Sequence, residues 1–131
     1  MKVKVSEKDK KFMRKFIGLY MDRMDIEYAI HSNEVKPSEK KGLDKIVKEM
    51  NGMLKDYSIL FGSDFWVLYK IFKETIKEKR GKMFNRSFDY FLEWTFEELL
   101  QGGMIDEKTH EKLRDFLSRF DLKAKSAWPI A

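Results

Sequence analysis

The chain has no cysteine, which removes any disulfide framework, thiolate metal site or cysteine nucleophile. It fits a reducing compartment. Histidine occurs only twice, and neither a Gly-x-Ser-x-Gly turn nor a glycine-rich phosphate loop is present, so no nucleophilic triad and no nucleotide cradle can be assembled. The longest uninterrupted apolar run is Phe65 to Tyr69, far short of the ~20 residues that span a bilayer and of the apolar centre of an export signal. The opening Met1-Lys-Val-Lys-Val is charged with no apolar segment behind it. The expectation is a cytoplasmic protein with no membrane contact.

What is present is helical core material. Of the 131 residues, 43% are hydrophobic and 15% aromatic, 11 of them Phe. A chain of this length forms one core, burying roughly two thirds of its unfolded surface. Charge is unevenly spread. Residues 1–86 carry 21 Lys/Arg against 13 Asp/Glu, whereas residues 87–131 carry 6 against 9. The front part therefore suits an acidic partner and the back part does not.

Apolar residues recur three and four positions apart along the whole chain. Ser6 caps a first helix, with Phe12, Met13, Phe16, Ile17, Tyr20, Met24, Tyr28 and His31 as its stripe, and Pro37 closes the break that follows. Ser38 caps a second helix whose stripe, Leu43 to Phe61, runs unbroken to Gly62. Ser63 and Asp64 open a third, apolar around its whole circumference over Phe65 to Tyr69, then charged to Arg80 and stopped at Gly81. Ser87 starts a fourth, Gly102-Gly103 ends it, and Asp106 caps a fifth bearing Leu113, Phe116, Leu117 and Phe120. No repeat or strand alternation appears. The sequence predicts an all-α, compact, single-domain bundle of about five helices over residues 1–122, followed by an irregular tail over 123–131. The stretch from Glu98 to Leu113 resembles the short C-terminal hairpins called SHOCT domains. The shared features are the glycine exit and acidic cap that any tight helical turn needs, and the likeness implies no function.

Four groups of residues are candidates for chemistry or binding. Glu107-x-x-His110 has the spacing of one half of a di-iron site, but the second histidine, His31, has Glu27 four positions before it rather than three, and Glu107 suits the first turn of a helix for dipole reasons. No metal or cofactor is expected. Asp89, Glu93 and Glu97 stack four apart as a carboxylate row, suited to a cation, a basic partner or a lysine-rich neighbour helix. Lys77, Lys79, Arg80, Lys82 and Arg86, with Phe84 among them, could neutralise phosphates and stack on a base. Leu19, Met21 and Ile26 lie off the main stripe of the first helix and, with Trp66 as an aromatic anchor, form an expected outward strip for a partner or a second copy. Met13, Met24, Met50 and Met53 are expected in the core.

The leading expectation is a non-enzymatic interaction protein, an inhibitor, adaptor or immunity-type protein, that binds another protein through an apolar helical surface and can self-associate. The next is a nucleic-acid-binding subunit using residues 70–86. An enzyme built on carboxylates ranks last.

Overall fold

A computed structural model describes residues 5–31, 36–61, 65–79 and 88–119. Six α-helices account for nearly all of them: α1 (Glu7–His31), α2 (Pro37–Leu54), α3 (Tyr57–Phe61), α4 (Phe65–Lys79), α5 (Phe88–Gln101) and α6 (Glu107–Arg119). The all-α class expected from periodicity holds. The helices group into two compact units, residues 1–84 and 85–131. The expected tail lies outside the described residues.

In the first unit, α1 packs against α2, α3 and α4. Its start is fixed by Ser6, whose Oγ accepts the Asp9 N–H at 3.1 Å. Neighbours on several sides require a wide buried face. Met13, Phe16, Ile17, Tyr20 and Met21 are all fully buried, and Gly18 is buried beside them. The inward stripe is thus broader than the three-and-four spacing alone suggests. Tyr28, expected on that stripe, is instead 38% exposed.

The start of α2 differs from expectation by two residues. The helix begins at Pro37, not after Ser38, because proline's fixed φ suits the first helical turn and its missing N–H costs nothing there. Lys36 before it is extended, with φ −88° and ψ 152°, as the residue preceding proline prefers. The larger difference is at Lys55-Asp56, where the expected continuous second helix divides into α2 and α3. Asp56 N–H reaches back only three residues to the Met53 carbonyl, and Ile59 N–H does the same to Asp56, each at 3.0 Å. These tightened turns shift the helical phase without a glycine or proline. Leu54 and Leu60 are both fully buried on either side of the break. In α4, Leu68, Ile71 and Phe72 are buried, and Thr75 satisfies its buried hydroxyl by donating to the Ile71 carbonyl at 2.7 Å.

The second unit is the pair α5 and α6. Phe88, Phe91, Leu92, Thr95, Phe96 and Leu99 form one buried stripe of α5, as its spacing predicts. The Thr95 hydroxyl donates to the Phe91 carbonyl at 2.7 Å.

Candidate binding groove of the second unit

The turn between α5 and α6 sets the geometry of the groove. Met104 N–H bonds to the Leu99 carbonyl and Gly103 N–H to the Leu100 carbonyl, each at 3.0 Å. This is a Schellman motif, and it requires a left-handed residue after the helix. Gly103 fills that place with φ +73°. Asp106 then caps α6, accepting the Thr109 N–H at 2.7 Å. Hydrogen bonding to the Thr109 side chain, reinforced by this backbone bond, holds the Asp106 carboxyl below its ordinary value. The two helices return antiparallel, so residues equally far from the middle of the turn face each other. Glu97 faces His110 by this rule, and Glu93 and Arg114 lie one turn further out on their own helices.

Those residues line a cavity of about 320 Å³, together with Tyr90 and Trp94. Along α5, Tyr90 and Trp94 form an aromatic row one turn apart. Glu93 and Glu97 form a carboxylate row beside it, three positions on from each ring. His110 and Arg114, also one turn apart, make the wall on α6. His110 is 8% exposed, the deepest polar group of the lining, and its Nε2 stands 3.1 Å from Oε2 of the half-exposed Glu97. The other carboxylate oxygen of Glu97 accepts a hydrogen bond from Gln101 Nε2 at 3.3 Å. Tyr90 is 40% exposed, and Glu93 and Arg114 are exposed, so the rim is reachable from solvent.

Glu93 and Glu97 of the carboxylate row meet His110 in this groove, while Asp89 is exposed and outside its lining. The carboxylate beside His110 is Glu97 from the opposite helix, while Glu107 is exposed in the first turn of α6. Glu27 pairs with Arg23, Oε1 to Nε at 2.9 Å, and the His31 side chain lies outside the described residues. Among the described residues no three His, Asp or Glu side chains converge as metal ligands.

The outward strip on α1 is corrected. Met21 is fully buried, because α1 carries neighbours on more sides than one stripe serves. Leu19 and Ile26 are partly buried, and Trp66 lies in the first turn of α4 with its side chain outside the described residues. Of the basic group, Lys77 is exposed on α4 and Lys79 ends that helix. Arg80, Lys82, Phe84 and Arg86 lie outside the described residues.

Two features escaped the sequence reading. One is the aromatic row Tyr90 and Trp94, whose spacing of four was visible but overshadowed by the buried phenylalanines. The other is an exposed lysine face on α2, comprising Lys41, Lys45 and Lys48 and continuing to Lys55. Its spacings of four, three and seven are helical and could have been read directly. The chain matches no protein-family model, no curated protein and no solved structure.

Proposed function

We propose that this protein is a non-enzymatic interaction protein, of the inhibitor, adaptor or immunity kind, and that its partner-binding surface is the α5–α6 groove. The observation that carries the reading is the lining itself: two aromatic side chains beside two carboxylates, reachable from solvent and held by a capped, tightly turned hairpin. Aromatic residues with two torsions and a large contact area are the usual anchors of protein interfaces. The cavity lies near the lower end of ligand-pocket sizes, about 300–1,000 Å³, and matches a partner's side chain better than a bulky cofactor. The Glu97–His110 pair has the form of an oriented base. Among the described residues the lining supplies no serine, threonine or cysteine for it to activate, so the pair is read as fixing the groove.

Affinity capture from the source cell with the parent and a Tyr90→Ala/Glu93→Lys variant tests this reading, since both positions are exposed and the fold should survive. Partners kept by the parent and lost by the folded variant support it. The same partners on both proteins overturn it.

A second reading, nucleic-acid binding, is favoured by the exposed Lys41, Lys45 and Lys48 on α2. It moves the basic surface from residues 70–86 towards α2. Partners lost on nuclease treatment, with affinity falling steeply in salt, support that reading over the groove.

A further inference from the structure

Resting on the groove as the docking surface, we infer that it captures a basic side chain, a guanidinium or ammonium, from a segment of the partner polypeptide. Helix α5 carries Asp89, Glu93, Glu97 and Glu98 and no Lys or Arg. Two of these carboxylates, Glu93 and Glu97, stand one turn apart in the lining of the groove, and both are exposed to an incoming cation. Shape comes next. The rings of Tyr90 and Trp94 line the same cavity as those carboxylates, and an aromatic ring beside a carboxylate attracts a cation in two ways at once, through the ring quadrupole and through direct charge. The chain already makes such a contact elsewhere, where Lys73 Nζ sits 5.4 Å from the centre of the Tyr69 ring.

Other occupants fit less well. An anion would meet the carboxylates of Glu93 and Glu97. A metal ion lacks three converging ligands among the described residues. A purely apolar side chain would strip water from Glu93 and Glu97 without replacing their hydrogen bonds. Arg114 stands on the α6 wall and repels an incoming cation, confining it to the α5 side. That opposition gives the inference its sharpest test, because removing Arg114 should help a cation and harm an anion.

The experiment titrates the full chain by calorimetry with two blocked peptides, acetyl-Gly-Arg-Gly-Arg-Gly-amide and its Glu counterpart. Amide chemical shifts map the site. The Arg peptide is expected to bind and to shift α5 and the Trp94 indole. Glu93→Gln and Tyr90→Ala should each weaken it about two- to fivefold, the effect of one exposed ion pair or cation–π contact. Arg114→Gln should tighten it by a similar factor, and Glu7→Gln, an exposed acid of α1, should leave it unchanged. Three results overturn the inference: no binding at millimolar Arg peptide, equal or tighter binding of the Glu peptide, or equal weakening by Glu7→Gln. If the peptides fail while cellular partners are still lost with Tyr90→Ala/Glu93→Lys, the groove remains the docking surface and its taste for cations is refuted.

Discussion

Glu97 of α5 and His110 of α6 bring Oε2 and Nε2 to 3.1 Å, one partner half exposed and the other almost fully enclosed. The two members of this pair therefore carry unequal stakes. Replacing Glu97 by Gln removes a charge that water already screens and should cost under about 1 kcal/mol. Truncating His110 to Ala empties space between two packed helices and should cost more, about 1–3 kcal/mol. Urea unfolding of both variants measures the difference. Equal costs would mean the pair, and not the packing of the imidazole, secures the hairpin.

Met21 gives a sharper case. A carboxylate placed at a fully buried position is stripped of its water, so Met21→Glu should cost about 4 kcal/mol or more and unfold much of the population. Met21→Leu keeps volume and apolarity and should cost less than about 1.5 kcal/mol. Thermal melts followed by circular dichroism test both. A stably folded Met21→Glu protein would restore the residue to the surface.

Leu54 closes α2 and is fully buried beside the break into α3. Leu54→Ala should cost about 2–5 kcal/mol by denaturant unfolding. A value below about half a kcal/mol would place this end of α2 away from the core.

At the turn of the second unit, Gly103→Ala forces a Cβ into left-handed backbone and should cost about 1–2 kcal/mol, although no atom blocks the added carbon. The expense is conformational. A melt unchanged by the substitution would mean the turn tolerates another backbone shape.

Asp106 makes the hairpin's stability depend on pH. A carboxyl held lower in the folded chain than in the unfolded one stabilises the fold above its unfolded value, near pH 4, and that contribution disappears as the pH falls through the lower folded value. Asp106→Asn keeps an acceptor for the Thr109 N–H but does not titrate there. The parent should be the more stable protein at neutral pH, and the gap should narrow on acidification towards pH 2. A gap that is constant across that range would remove the Asp106 carboxylate as its cause.

The features legible in the sequence were those fixed by chemistry a few residues apart. Ser6, Gly103 and Asp106 each act on backbone groups within one turn, so the ends of α1, α5 and α6 could be located without knowing what packs on them. The buried stripe of α5 was equally plain. The position of Met21 was not, because the width of a buried face depends on how many neighbours a helix acquires, and α1 has three. The break at Lys55-Asp56 left no proline or glycine to announce it. For the groove, the parts were visible and the assembly was not. Joining Glu97 to His110 requires counting outward from the glycine turn along two antiparallel helices, a step that depends on the hairpin closing tightly.

That closure also has a temporal side. Every α5–α6 contact spans only a short stretch of chain around the Schellman turn, so little loop entropy is lost in bringing the two helices together. Contacts between α1 and α4 must instead close across all of α2 and α3. Short-range closure is the faster kind. During refolding, amide protons of α5 should become protected from exchange before those in the middle of α1, making the groove an early landmark on the route to the native state.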